Sequence, residues 1–247
     1  MVHLSIACTA TATGAVALDT EAARAAFLLG SVSPDSIHMR EGSTREDKRR
    51  IHLFDDATSL RLRFRSIDGL WSEAVESWSS DGATDGVRLK EKQAFLAGYC
   101  THLAADALWS HLLVRSYHQA QIDGSSPEEY RRTYYRETDK ADFRIFHTAP
   151  WREDVWRLLR AARTFPFLDY LTADEIGRWR DRTLAFFEDP DKEPEDEPDF
   201  FTPQRIERFL EVAADACAAG LRDSFAPVGE KLDRKYEVGA LAGRIEG

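Results

Sequence analysis

Apolar residues recur every three or four positions along most of this chain, the spacing that lines up one face of an α-helix. Thr20 is placed to cap "EAARAAFLL", with Gly30 ending that helix and "SVSPDS" following as a loop. From Asp47, "KRRIHLFDDATSLRLRF" reads as a further helical region, and "LWSEAVESW" (Leu70 to Trp78) repeats apolar residues at helical spacing. The polar "SSDGATDG", Ser79 to Gly86, is a loop. A long helix then runs from about Lys90 into the Tyr117 region. Ser126-Pro127-Glu128-Glu129 is a helix start, with a capping serine, proline at the first position and acids in the first turn. "PWREDVWRLLRAA" and "TADEIGRWRDRTLAFF" are two more amphipathic helices, the second capped by Thr172. Thr202-Pro203 opens a last helix, "PQRIERFLEVAADACAAG", closed by Gly220. The N-terminal "HLSIACTATATGAVAL" is read as an internal helix. No alternating β-branched run is long enough for a sheet and no internal repeat is present, so the chain is expected to be all-α, one domain over 1–247.

A chain of 247 residues can bury a substantial core. The net charge of −10 is misleading as a whole-surface property. "EDPDKEPEDEPD", Glu188 to Asp199, holds eight acids and one lysine, and so carries −7 of it. This three-proline stretch is expected to be a solvated loop kept open by self-repulsion, with a metal-binding or partner tail as the alternative. The remainder is close to balanced and lacks the basic stripe of a nucleic-acid surface. Cys8, Cys100 and Cys217 are isolated thiols without CxxC pairing, which suggests a reducing compartment. No basic segment precedes the apolar N-terminal run, and no stretch reaches the ~20 apolar residues that span a bilayer. A cytoplasmic location without a transmembrane segment is the expectation.

The chemistry concentrates in "GYCTHLAADALWSH", Gly98 to His111. His102 and Asp106 interrupt an apolar run four residues apart, and so share one face of the central helix with Phe95, Tyr99 and Trp109. Such a pair is either a chelate, since imidazole nitrogen and carboxylate oxygen both bind zinc, or a hydrogen-bonded core pair. His3 in "VHLSIA", Asp35 in "FLLGSVSPDS" and His52 in "KRRIHLF" are further polar residues in apolar contexts on separate segments.

Taken in order, "VHLSIA", "FLLGSVSPDS", "IHLF" and "GYCTHLAADALW" resemble the signature of the zinc-dependent phospholipase C family and the related P1-type nucleases, over roughly the first 115 residues. The resemblance implies an all-α fold with an oligometal phosphoesterase centre. It implies that Asp35, His52, His102 and Asp106 surround one zinc, and that Asp106 bridges to a second metal that His3 also holds. Asp35 is then the carboxylate to position or deprotonate the attacking water. One or two zinc ions are expected, other divalent metals being compatible, with a small-molecule phosphoester as substrate.

The chain also departs from that pattern. Secreted members supply ligands through a mature N-terminal Trp, whereas this chain begins Met-Val-His. Their second histidine on the central helix lies six residues past the aspartate, and His111 lies five past Asp106, a rotation of ~100°. No His-x3-Glu follows to complete a third metal site. The adjacent His-Asp pair of another helical phosphohydrolase class is absent.

Further candidates are His38, as support for a ligand or a substrate contact, and Asp139 and Asp142, which could orient a ligand histidine or pair with Arg136 or Arg132. Arg40, Arg49 and Arg50 could recognise phosphate. His111, His118 and His147 stay open as ligands. The alternative to an enzyme is a non-catalytic, metal-stabilised helical binding protein on the same scaffold.

Overall fold

Residues 94–105 of the central helix are all buried, on every side of the helix. A helix apolar around its whole circumference belongs inside a protein rather than on its surface, and four of the other helices pack closely against this one. The computed structural model describes residues 1–53, 59–80, 86–120 and 126–236. Eleven α-helices occur among them: α1 (Val2–Ala12), α2 (Glu21–Gly30), α3 (Arg45–His52), α4 (Leu60–Ser80), α5 (Gly86–Trp109), α6 (Arg115–Ala120), α7 (Pro127–Thr148), α8 (Arg152–Ala161), α9 (Ala173–Glu188), α10 (Pro203–Arg222) and α11 (Phe225–Tyr236). The described residues form no strand, only an isolated bridge between Phe167 and Leu171. The all-α expectation is met. No described helix is long and apolar enough to cross a membrane.

The caps read from sequence are in place. The hydroxyls of Thr20, Ser126 and Thr172 accept the backbone N–H of Ala23, Glu129 and Glu175, and the last two are reciprocal capping boxes. Four readings need correction. The N-terminal helix stops at Ala12, with Gly14 in the left-handed region. "SVSPDS" is not an open loop, since Ser33–Met39 winds into a 3-10 helix. The helix from α5 toward Tyr117 is interrupted by a π-helical turn at Ser110–Val114. Gly220 does not end α10, which continues to Arg222 and is followed by α11. Pro227 and Gly229 disguise α11 in the sequence, but a proline in the first turn removes no helical hydrogen bond. Residues 54–58 of the stretch read as helical, 81–85 of the Ser79–Gly86 loop and the C-terminal "LAGRIEG" lie outside the described residues.

The tightest packing joins α2 to α5. A Cβ on Gly30 would sit 2.0 Å from the Phe95 carbonyl oxygen, and one on Gly98 would sit 1.9 Å from that of Phe27. The two backbones therefore touch through paired glycines. Gly30 serves this contact and is not a left-handed helix stop, because Ser31 after it keeps right-handed angles. One turn beyond Gly98 comes His102, and one residue beyond Gly30 comes Ser31.

The acidic stretch after α9 is irregular apart from a short 3-10 turn and mostly exposed, and what the sequence did not indicate is that its charges lie along α7. Glu193 pairs with Lys140 at 2.9 Å and His147 at 2.8 Å, Asp196 pairs with Arg136 at 2.7 Å, and Glu197 pairs with Arg144. Buried Glu137 then accepts the backbone N–H groups of Phe200 and Phe201. The self-repulsion is offset by a basic stripe on the neighbouring helix.

The glycine contact makes a direct prediction. Gly98→Ala should destabilise the protein by about 3 kcal/mol in urea unfolding, because neither backbone can withdraw from the added methyl. Gly69→Ala on α4, where a Cβ meets nothing within 4 Å, should instead stabilise by roughly 0.5–1 kcal/mol.

Candidate metal centre

Four segments of chain meet over the middle of α5. His102 is fully buried, and its Nδ1 lies 2.9 Å from the Ser31 carbonyl oxygen at the end of α2. A carbonyl can only accept, so Nδ1 carries the proton and donates. Tyr99, one turn earlier on α5, donates its hydroxyl to the Ile51 carbonyl at 2.9 Å. That bond fixes the last turn of α3 and thus His52, after which Leu53 turns left-handed and stops the helix. The His52 Nδ1 faces the Lys48 carbonyl at 3.2 Å, which directs Nε2 inward. His3, on α1, stacks its ring on His102 with centroids 3.8 Å apart and planes 10° from parallel. Asp35 enters from the 3-10 segment behind Pro34.

These residues enclose a small space. Asp106 divides its oxygens, with Oδ1 2.9 Å from His3 Nε2, and Oδ2 3.3 Å from His102 Nε2 and 3.8 Å from His52 Nε2. Asp35 Oδ1 lies 3.3 Å from His52 Nε2. Ligand atoms from His3, Asp35 and His102 fall within 4.8 Å of one another, as do those from His52, His102 and Asp106. All five residues named from the sequence as metal ligands are therefore brought together, in two triads that share His102.

The electrostatics show what this geometry lacks. His102 Nε2 is buried without a hydrogen-bond partner, although Asp106 Oδ2 lies 3.3 Å from it. With Nδ1 donating to Ser31, the neutral ring presents a lone pair toward carboxylates, and a proton or a cation relieves that conflict. Without a metal, a proton takes the place: burial works to lower the His102 pKa, but Asp106 and Asp35 outweigh it and raise it to about 9. Burial also works to raise both carboxyls. His102 with His52 nevertheless holds Asp35 at about 2, and His102 with His3 holds Asp106 well below the usual range. Burial, reinforced by neighbouring His102, lowers His3. Two carboxylates and two further imidazoles around the orphaned His102 nitrogen fit a zinc-type cation, whose preferred ligands are these nitrogens and oxygens.

The centre forms the floor of a cavity of about 650 Å³ bordered by His3, Asp35 and Asp106. This is ordinary for a small-molecule site. Trp109 of α5, Tyr134, Thr138 and Asp139 of α7, and Trp179 and Arg182 of α9 are among the residues that wall it. His38 also borders it, 5.7 Å from the Trp179 ring.

The remaining candidates lie elsewhere or do other work. Arg50 is held by Asp169 at 2.6 Å and stacks over Tyr170. Arg40 forks onto Glu175 at 2.7 and 3.1 Å, fastening α9 to the 3-10 segment. His111 sits on the π turn and faces Arg115, Asp233 and the backbone of Tyr236, away from the cavity. His118 packs against Tyr130, and His147 pairs with Glu193. Asp142 borders the cavity and accepts the Val2 backbone N–H at 2.9 Å, tethering the start of α1 and hence His3. Neither Arg136 nor Arg132 forms an ion pair with Asp139 or Asp142 among the described residues, Arg136 being taken by Asp196.

Of the α7 and α9 walls, the sequence pointed only to Asp139 and Asp142, which both border the cavity. Tyr134, Thr138, Trp179 and Arg182 belong to ordinary amphipathic patterns and carry no local signature. The one available signal was the helical spacing of Tyr134, Thr138 and Asp142 on a helix whose other face is basic.

The described residues thus form an all-helical protein with an imidazole–carboxylate cluster bordering a cavity. The zinc dependent phospholipase C family model matches residues 2–176, and the chain belongs to that family. No curated protein and no solved structure matches the chain.

Asp139 supplies a test independent of the metal. Burial, with Asp142 nearby, pushes its carboxyl up to about 6, against about 3.9 in an unfolded chain. The folded form thus holds the proton more tightly, and the stability this contributes is full below about pH 4 and lost as pH rises through 6. Asp139→Asn should therefore gain stability relative to the wild type between pH 4 and 6 and keep a constant advantage above, as read by urea unfolding across pH 4–8.

Proposed function

We propose that this protein is a zinc-dependent hydrolase of a phosphoester. The observation that carries the reading is the buried His102 Nε2, without a hydrogen-bond partner, within a ring of two carboxylates and two further imidazoles. His52, His102, Asp35 and Asp106 would hold one ion, and the divided carboxylate of Asp106 together with His3 would hold a second where two are bound. Zinc supplies a water acidified to a pKa near 7 and positive charge against the phosphoryl oxygens.

The chain's own residues do the rest. The Ser31 carbonyl keeps His102 in the tautomer that leaves Nε2 as a ligand, and such outer hydrogen bonds orient ligands and raise their basicity. Asp35 borders the cavity with its carboxyl ionised, and it orients the attacking water and accepts its proton. The aromatic wall of Trp109, Tyr134 and Trp179 excludes bulk water and packs the organic part of the ester. The substrate is a small-molecule phosphoester, in keeping with the family.

The test uses zinc-supplemented protein, elemental analysis and generic phosphate mono- and diesters. One or two equivalents of zinc and a chelator-sensitive turnover are expected. Asp106→Asn and His102→Ala should lose at least 10-fold in zinc affinity and lose turnover with it. Asp35→Asn keeps an oxygen at the site but not its basicity. Measured at saturating zinc, it should drop kcat by about 10²–10⁴-fold. Unchanged turnover in the His102 and Asp106 variants would refute the reading, and near-zero zinc after supplementation would favour a binding protein.

A further inference from the structure

Arginine side chains crowd the region where α9 meets the 3-10 segment, and nearly all are engaged. Arg40 is held by Glu175, Arg178 by Asp174 and the Met39 carbonyl, and Arg180 by Asp181 and the Ala162 carbonyl. Arg182 differs. Among the described residues it forms no ion pair or hydrogen bond, its guanidinium resting only 5.6 Å from the Trp179 ring centroid. It is also the one Lys or Arg among the residues bordering the cavity. Arg182, His38 and Asp35 all border this one cavity. The family match ends at residue 176, in the first turn of α9, and Arg182 therefore stands on a wall beyond the segment that defines the family.

We propose that Arg182 is the anion-anchoring residue of this protein, binding the phosphoryl oxygens of the substrate from the α9 wall opposite the His/Asp floor. The proposal rests on the phosphoester reading. A planar guanidinium that makes no ion pair or hydrogen bond among the described residues is available for a bidentate grip on phosphate, and in a cavity also bordered by Asp35, Asp106, Asp139 and Asp142 its charge adds to that of the proposed metal in drawing an anion. Arg182 is a positioning residue that sets where the phosphorus sits, and α9 is the element that gives this chain its own selectivity.

The experiment compares zinc-loaded wild type with Arg182→Ala, Arg182→Lys and a remote control of equal charge change, Arg24→Ala. Inorganic phosphate binding is followed by calorimetry, and KM and kcat are measured on a generic phosphodiester. Because Arg182 is exposed and makes no hydrogen bond, its variants should fold and bind zinc like the wild type. Arg182→Ala is expected to weaken phosphate binding and raise KM by about tenfold, equivalent to about 1.4 kcal/mol, with kcat changed less than threefold. Arg182→Lys should recover part of the loss, and Arg24→Ala should match the wild type. Equal losses in Arg182→Ala and Arg24→Ala would reduce the effect to net charge and overturn the proposal. If the wild type hydrolyses the diester and Arg182→Ala stays within twofold of it, the anchor assignment alone falls. If the wild type neither binds phosphate nor turns over, the hydrolase reading falls and takes this one with it.

Discussion

The close approach of α2 to α5 through Gly30 and Gly98 is the constraint on which the rest of the structure depends. With any side chain at either position the helix backbones would separate by the width of a methyl group or more. The Ser31 carbonyl would then leave His102 Nδ1, and the ring would be free to place its proton on either nitrogen. Backbone contact at one turn of α5 thus decides the protonation pattern one turn further along. The Asp35 segment also leaves α2 at this point, so the same contact sets how deeply Asp35 reaches toward the centre.

The second constraint is charge. Two carboxylates and three imidazoles drawn from four segments are costly to keep out of water. Apolar packing around α5 forces them together all the same. The Asp35 and Asp106 carboxylates remain ionised because His102 accepts a proton, so the metal-free centre is held by a buried ion pair. A divalent cation, if bound here as proposed, would compete for the same position as that proton. Stability and metal affinity are two readings of one electrostatic arrangement.

Helix positions were legible wherever a local rule was complete: Ser126 with Glu129, Thr172 with Glu175, and the His102–Asp106 spacing each need only neighbouring residues to be understood. Gly30 shows the limit. A glycine at a helix end has two explanations, a left-handed stop or a close neighbour, and only the position of Gly98 decides between them. The acidic stretch hid its resting place for a related reason. Its charges were plain, but the stripe of Arg136, Lys140, Arg144 and His147 that receives it lies more than 40 residues earlier in the chain. Arg40 and Arg50 drew attention through their closeness in sequence to His38 and His52, whereas Arg182, far away in sequence, is the cation at the cavity. The floor of the site comes from motifs, and its walls come from tertiary packing that no motif records.

The acidic strap along α7 has a consequence for how the cavity behaves. The inner face of α7 forms one side of the cavity, and its outer face is tied down by four ion pairs, three of them in solvent-exposed positions. Ionic attractions of that kind are screened over about 8 Å at physiological salt, whereas the glycine contact beneath the centre feels no salt at all. One side of the chamber is therefore fastened in part by attractions that salt weakens, whereas its base rests on a contact that salt does not touch.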